Sequence, residues 1–188
     1  LRRFDLPGPY FISVGSDHYR KNQPRLLDAF YKVQAELPET LVLVGRSIYR
    51  EPVFERLMEE ADQAGLARRV LWLSDVNDAE LAALYRGATA LVAPSLYEGF
   101  GLTLVEAMAC GIPVAAARAG SYPEVGGDAV HFFDGHDMDE LAAALARLSR
   151  EAPLRQDLVA RGLARADRFT WEATARATLA IYRRLLGA

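Results

Sequence analysis

Two patterns of apolar positions alternate along the chain. Short runs in which nearly every residue is apolar are bounded by glycine, proline or polar clusters, and they predict strands that are buried on both faces. The predicted strands cover residues 10–14, 41–44, 70–73, 88–93, 112–116 and 129–133.

The segments between and after these strands carry apolar residues at every third or fourth position, which is typical of amphipathic helices. The predicted helices cover residues 24–37, 52–65, 78–85, 101–111, 138–149, 153–168 and 170–186. In the second helix we expect Val53, Leu57 and Ala61, or their neighbours, to be buried, with Gly65 as the C-terminal glycine. Asp78 is the predicted N-cap of the third helix.

Buried strands that alternate with amphipathic helices predict an α/β fold, a Rossmann-like doubly wound parallel sheet of about six strands with helices on both faces. The 188 residues, of which 51% are hydrophobic, suffice for one substantial core, so we expect a single domain over residues 1–188. A sheet of this kind binds its ligand beyond the carboxyl ends of its strands. The informative loops are therefore those after residues 14, 44, 73, 93 and 116.

The composition of the chain excludes some classes of binding partner and indicates the cellular compartment. A net charge of -3, with arginines scattered along the helices, gives no basic surface for nucleic acid. The sequence has no apolar window long enough to span a membrane, and its single cysteine, Cys110, reads as a small buried helix residue of a cytoplasmic protein. The chain begins at Leu1 rather than Met and reaches its first strand at once, so we expect it to be part of a longer protein.

The loop after the fourth strand opens with Glu98-Gly-Phe-Gly and leads into the helix that carries Glu106. A helix that begins near Gly101 or Leu102 presents free backbone amides to an anion, and the glycines permit close approach. Thr103 adds a hydroxyl to this predicted phosphate site.

Two interpretations of the acidic pair remain open at this point. In a continuous helix Glu98 and Glu106 would lie ~12 Å apart along the axis and ~80° around it, which suits the two ends of an elongated ligand. Alternatively, Glu98 only caps the helix and Glu106 is solvated. The second alternative is weakened by the apolar and small neighbours of Glu106, among which a carboxylate needs a partner.

The loop after the first strand contains Asp17, His18, Arg20 and Lys21. Arg20 and Lys21 are candidates for contacts with the same phosphates, or else form a solvated basic pair. The loop has neither the Gly-x-Gly-x-x-Gly of a dinucleotide site nor the Gly-Lys-Ser/Thr of a P-loop, which argues against a dehydrogenase and a nucleotide triphosphatase.

The remaining candidate side chains are ambiguous. No metal site is predicted, because the three histidines lack the spacing of metal ligands and no acidic cluster suits magnesium. Glu124, in a predicted loop, points into the cleft or caps a turn, and Tyr97 and Phe100 line a sugar or base pocket or serve packing.

The segment from Glu98 to Glu106 resembles the E-x7-E pattern of the family 4 glycosyltransferases, also called glycosyl transferases group 1. The similarity continues through Cys110-Gly-Ile-Pro-Val114, Pro123-Glu124-Val125 and Phe169-Thr170-Trp171, while Gly15 followed by Arg20-Lys21-Asn22 resembles the family's phosphate loop. The resemblance implies one half of a GT-B enzyme, namely the C-terminal domain that binds the nucleotide sugar, with the N-terminal acceptor domain absent.

The resemblance also implies roles for single residues. Arg20 and Lys21 would stabilise the diphosphate leaving group, and Glu98 would bind hydroxyls of the donor sugar; these are the implied catalytic residues. Gly15 and Ser16 belong to the implied phosphate loop. The other implied donor-binding residues are Val76 for the base, Phe100, Gly101, Leu102 and Thr103 for the phosphate, and Glu106 for the ribose.

The implied reaction is hexose transfer from a nucleoside diphosphate sugar to an acceptor hydroxyl, with retention and without an obligatory metal or cofactor. Ser16 stands where many members have arginine, which shifts the cationic role to Arg20 and Lys21, with Arg46 as a further candidate. The Arg-Lys-Asn loop and Tyr-Pro-Glu-Val favour a mannosyltransferase that uses GDP-mannose in polysaccharide synthesis, while UDP-glucose remains open.

Two rival functions are a nucleotide-sugar epimerase of related fold and a nucleotide-binding module without catalysis. The terminal segment 170–188 carries an apolar stripe, which either covers the core of this domain or packs against the absent N-terminal domain. Peripheral association with the membrane would involve that other domain.

Overall fold

A computed structural model describes residues 2–6, 8–46, 52–63, 65–66 and 68–187. Six parallel strands form one sheet in the order β3-β2-β1-β4-β5-β6. The strands are β1 (Tyr10–Val14), β2 (Thr40–Val44), β3 (Val70–Leu73), β4 (Ala90–Ala93), β5 (Val114–Ala117) and β6 (His131–Phe133). The predicted parallel sheet of about six strands is confirmed.

Successive residues of each strand point to opposite faces of the sheet, and both faces are buried. In β1, for example, Phe11 packs in one core cluster and Ile12 in the other, and neither is exposed to solvent. This two-sided burial is the reason that the strands read as continuous apolar runs.

The helices cover both faces of the sheet. Helices α1 and α6 contribute to the first cluster, through residues such as Phe30 and Leu145, and α3 and α4 contribute to the second, through residues such as Leu84 and Met108. The bounds are α1 (Gln23–Val33), α2 (Pro52–Gln63), α3 (Asp78–Gly87), α4 (Leu102–Ala109), α5 (Tyr122–Gly126), α6 (Met138–Arg150), α7 (Ala152–Ala166) and α8 (Trp171–Leu186).

The prediction for α2 is only partly covered by the described residues. Ala61 is buried and Gly65 has a φ of +73° after the helix, as expected. The side chains of Val53 and Leu57 lie outside what the structure describes.

Two local predictions were wrong. The N-cap of α3 is Asn77 rather than Asp78: its side chain accepts a hydrogen bond from the Glu80 amide at 3.0 Å, and the Glu80 carboxylate accepts one from the Asn77 amide at 3.1 Å. This reciprocal pair satisfies two free amides, and Asp78 then begins the helix. The loop predicted around Pro123 is the short helix α5, which begins at Tyr122 and has proline in its first turn, where no amide is needed.

Helix α8 does not cover the core of this domain. None of its residues is buried, and its apolar side chains are largely in solvent: Trp171 is 76% exposed, Tyr182 59% and Leu186 82%. Within the described residues, no helix combines the length and the apolar character that crossing a membrane requires.

Candidate active site at the centre of the sheet

The strand order reverses between β1 and β4. From β1 the chain moves outward to β2 and β3, whereas β4 leads to β5 and β6 on the other side. The loops that leave β1 and β4 therefore separate and open a crevice at the carboxyl edge of the sheet, which is where open α/β sheets bind ligands.

An ion-pair cluster joins these two loops. The Lys21 Nζ lies 2.5 Å from Glu98 Oε1, and the Arg20 guanidinium lies 3.5 Å from Glu98 Oε2. The side chains of Lys21 and Glu98 are only 15% and 13% exposed, whereas that of Arg20 is 42% exposed. The three residues predicted to be catalytic are thus brought together, although Glu98 lies 77 positions after Lys21 in sequence.

Glycines allow the loop after β1 to pack tightly. The Gly15 amide donates to the Val44 carbonyl at 2.8 Å, and a Cβ on Gly45 would lie 2.0 Å from the Gly15 oxygen. A Cβ on Gly15 itself would meet the Lys21 stem at 3.1 Å. The Lys21 side chain therefore lies across the end of β1, beside the half-buried Ser16.

Asn22 fixes the end of this loop. Residues Tyr19–Lys21 form a 3-10 turn, which His18 caps by accepting the Arg20 amide on Nδ1 at 3.2 Å. Asn22 follows with a φ of +55°, a conformation that asparagine tolerates better than most residues. Its buried side-chain amide donates to the carbonyls of Pro94 at 3.2 Å and Gly135 at 2.8 Å. It thus ties the loops after β1, β4 and β6 together.

The backbone of Glu98 is held from the other side by the loop after β5. The Glu98 carbonyl accepts hydrogen bonds from the Ser121 amide at 3.2 Å and the Ser121 hydroxyl at 3.1 Å. Gly120 has a φ of +53°, and a Cβ there would lie 2.6 Å from the Glu98 oxygen. The backbone that carries the Glu98 side chain is therefore held in place.

Helix α4 begins directly after Gly101, as predicted. Gly101 has a φ of +96°, and a Cβ there would lie 2.8 Å from the ring of Tyr122. The amides of Leu102 and Thr103 open the helix and have no partner within it. Tyr122 is buried, so its ring packs firmly beneath this turn, and burial raises the pKa of its hydroxyl to about 12.

Glu106 has the partner that its apolar neighbours required. The Tyr85 hydroxyl donates to Glu106 Oε2 at 3.2 Å. Burial, and then the charge of Glu106, raise the pKa of Tyr85, which keeps this donor protonated. Glu106 is otherwise exposed and lines a groove of about 510 Å³ together with Phe100 and Leu102.

The remaining predicted residues lie around this centre rather than in it. Val76 is half-buried beside the second core cluster, in the loop after β3. Arg46 is exposed after β2. Phe100 packs edge-on against Phe169, with ring centroids 5.7 Å apart, and Tyr97 is 64% exposed.

Glu124 and Cys110, which the sequence also singled out, are placed elsewhere in the fold. Glu124 is exposed on α5 and contacts Arg165 through its carbonyl. Cys110 is half-buried, and burial raises the pKa of its thiol. Within the described ranges, no three His, Cys, Asp or Glu side chains are placed to hold a metal ion.

Sequence reasoning missed three groups that shape the site. Asn22, Gly120 and Tyr122 support the cationic turn, Glu98 and the start of α4, respectively. Asn22 and Tyr122 stand in the Arg-Lys-Asn and Tyr-Pro-Glu-Val segments that the sequence singled out, but sequence reasoning assigned them no role of their own. Each of the three residues contacts a residue distant in sequence, so no local spacing marks its role.

A sequence model of one family, the glycosyl transferases group 1, matches residues 2–165, which is most of the chain. The chain belongs to this family. The match includes the β1 loop, Glu98, α4 and α5, and it ends before α8. The resemblance that the motifs carried is thereby confirmed.

Curated relatives include several glycosyltransferases of this family. The O-antigen chain mannosyltransferase B of Escherichia coli is 36% identical over 178 residues, which make up 94% of this chain and 46% of that protein. The D-inositol 3-phosphate glycosyltransferase of Thermobifida fusca is 42% identical over 137 residues, which make up 72% of this chain and 31% of the relative. The chain thus spans half or less of the length of these group 1 glycosyltransferases.

Solved structures share the fold. The sucrose-phosphate synthase of Thermosynechococcus elongatus superposes with a TM-score of 0.82 at 30% identity, over 99% of this chain and 47% of that one. The C-terminal domain of a glycosyl transferase group 1 protein from Francisella tularensis gives 0.78 at 26% identity, over 88% of each chain. These matches confirm the predicted Rossmann-like fold class of GT-B glycosyltransferases.

Proposed function

We propose that this chain is the donor-binding domain of a retaining glycosyltransferase, which transfers a hexose from a nucleoside diphosphate sugar to an acceptor hydroxyl. The observation that carries the proposal is the cluster of Arg20, Lys21 and Glu98 in the central crevice. Glu98 of this cluster stands four residues before Leu102, where α4 begins with free amides.

The proposed chemistry is electrostatic. Negative charge grows on the diphosphate as the glycosidic bond breaks, and positive groups fixed in advance stabilise it without reorganising. Lys21, Arg20 and the amides of residues 100–103 supply this positive charge, while Glu98 accepts hydrogen bonds from sugar hydroxyls. The proposal requires no metal ion or cofactor, because these groups provide the charge that the leaving group needs.

The nucleoside part of the donor is assigned to two further regions, one for the ribose and one for the base. Glu106 is held by Tyr85 and remains accessible, which suits a carboxylate that accepts hydrogen bonds from ribose hydroxyls. Val76, in the loop after β3, is proposed to contact the base. Gly15 and Ser16 border the phosphates, where the Gly15 position leaves room for the Lys21 stem.

Mannose is the favoured sugar and GDP-mannose the favoured donor. Support comes from the 36% identity to an O-antigen chain mannosyltransferase over nearly the whole chain. The O-antigen chain in the name of this relative also supports a role in polysaccharide assembly. UDP-glucose is the alternative donor for the same site.

The rest of the enzyme is proposed to cover the exposed stripe of α8. The chain spans half or less of the length of these relatives, and apolar side chains as exposed as Trp171 and Leu186 are typical of a contact surface. An N-terminal acceptor domain that faces the crevice would provide this partner, and any peripheral membrane contact is assigned to that domain.

Calorimetric titration of the chain with GDP, UDP, GDP-mannose and UDP-glucose tests the proposal. We expect binding of at least one nucleotide and its sugar, with GDP and GDP-mannose preferred. No heat change with any of the four at millimolar concentration would refute a donor site. A non-catalytic module would bind nucleotide without hydrolysing or transferring the sugar when combined with its N-terminal domain, and an epimerase would change the sugar's configuration.

A further inference from the structure

The lysine assigned to the leaving diphosphate is already engaged by a carboxylate. Lys21 contacts Glu98 at 2.5 Å, and Arg20 approaches the other carboxylate oxygen at 3.5 Å. Each cation therefore shares its charge with Glu98 before any ligand arrives. A phosphate group that binds here must compete with this carboxylate and also approach its negative charge.

This competition affects the two nucleotide ligands differently. A nucleoside diphosphate brings only negative charge toward Glu98, so the loss of the ion pair is not compensated. A nucleotide sugar brings hydroxyl groups as well, which donate hydrogen bonds to the same carboxylate and replace the lysine as its partner. The same residue thus opposes one ligand and favours the other.

We propose that Glu98 is a specificity-determining residue that makes the site prefer the nucleotide sugar over its nucleoside diphosphate product. This inference rests on the proposed donor site. It adds the direction of one effect, namely that Glu98 lowers the affinity of the site for the bare nucleoside diphosphate. A carboxylate with this effect assists product release, since the transferred sugar takes its hydroxyl groups with it.

The opposite effect, in which Glu98 orients Lys21 and so improves diphosphate binding, is weaker in this structure. The Lys21 stem is confined by the backbone at Gly15, where an added Cβ would lie 3.1 Å from its Cδ. The lysine is only 15% exposed, so it stays in the crevice without its ionic partner. Little rotamer freedom is therefore regained when the carboxylate charge is removed.

The backbone and the low exposure of Glu98 restrain its carboxylate near an incoming phosphate. Its carbonyl is bound by both the amide and the hydroxyl of Ser121, and Gly120 packs against its backbone. The side chain is 13% exposed. Because the carboxylate stays near the phosphates, its repulsion acts on the bound state and not only on the free one.

The test compares Glu98→Gln with the unchanged chain by calorimetry, using GDP and GDP-mannose at one pH and ionic strength. The amide keeps the shape of the side chain but removes its charge. We expect GDP to bind about three- to tenfold more tightly and GDP-mannose to gain less or to bind more weakly. The preference for the sugar over the bare diphosphate then falls.

Asp139→Asn is the matched control. Asp139 pairs with Lys32 at the same 2.5 Å, but both side chains are exposed, at 72% and 49%, and they lie on α6 and α1 outside the crevice. This substitution removes one negative charge without touching the cationic turn. We expect both nucleotide affinities to remain within about twofold of the unchanged chain.

A second variant and a double variant complete the test. Glu98→Ala removes the charge without an amide and should also tighten GDP binding. Either gain should shrink when Lys21→Ala is added, because the part of the competition that acts through that lysine is lost. Equal weakening of GDP and GDP-mannose in both Glu98 variants, with unchanged thermal stability, would overturn the inference while leaving the donor site intact. Absence of binding by the unchanged chain would instead remove the proposed function.

Discussion

Replacement of Asn22 should destabilise the whole domain, because this residue connects three loops. Asn22 is buried, and its side-chain amide donates two hydrogen bonds, to Pro94 and Gly135. At about 1 kcal/mol for each bond, Asn22→Gly should lower the free energy of unfolding by about 2 kcal/mol. Both carbonyls would lose their partner without gaining another within the protein.

Alanine at the same position adds a backbone term. The φ of +55° suits glycine, whereas alanine in the left-handed region is disfavoured by about 1 kcal/mol relative to glycine. Asn22→Ala should therefore lower the free energy of unfolding by about 3 kcal/mol. The difference in unfolding free energy between Asn22→Ala and Asn22→Gly measures the cost of the left-handed conformation. The loss that both variants have in common measures the contribution of the two hydrogen bonds.

Urea denaturation followed by far-UV circular dichroism provides the measurement, with thermal melting as a second readout. For a chain of this size the glycine variant should melt about 4 to 8 °C lower. Asn77→Gly is the matched control: Asn77 is an exposed N-cap, where glycine costs only a few tenths of a kcal/mol. A stability of Asn22→Gly within about 0.5 kcal/mol of the unchanged chain would refute the role of the two bonds.

Three other outcomes are expected. Lys21→Ala should weaken GDP and UDP binding by about 1.5 to 3 kcal/mol in calorimetry, because a charge-assisted contact is lost; unchanged affinity would contradict its role. Gly101→Ala should lower the free energy of unfolding by about 2 to 4 kcal/mol, because its Cβ would lie 2.8 Å from the Tyr122 ring at a φ of +96°, whereas Gly99→Ala has nothing within 4 Å and should be nearly neutral in the same urea titration. Burial, and then a nearby arginine, lower the pKa of His131 below 6.5, so the fold favours its neutral ring and the associated stability is present above that pH and lost as the pH falls through the lowered pKa. His131→Gln should flatten the decline in unfolding free energy between about pH 7 and pH 5, and an unchanged slope would refute this.

The fold could be predicted from the sequence because its signals are local. A strand such as Thr40–Val44, buried along its whole length, must be apolar at nearly every position, whichever strands it pairs with. An amphipathic helix such as α6 must repeat its apolar residues every three or four positions. Both patterns can be read from consecutive residues.

The preference of a single residue does not decide between two neighbours that share it, and a helical period cannot be seen in a short segment. Asn77 and Asp78 both suit an N-cap, and Asn77 takes this position because it stands three positions before Glu80, with which it forms the reciprocal pair. Helix α5 has five residues, too few to show a helical period, and its proline is equally typical of a loop.

The sequence by itself determined where the free amides of α4 lie and which acidic and basic residues border the crevice, since these follow from the glycines at 99 and 101 and from the ends of β1 and β4. Only the tertiary structure decided that Lys21 pairs with Glu98 and that Asn22 holds both of their loops. Those contacts exist because β1 and β4 are neighbours in the sheet. The pairing of β1 with β4 depends on the burial of both faces of the sheet and on the short connections throughout the fold. No spacing along the chain encodes it.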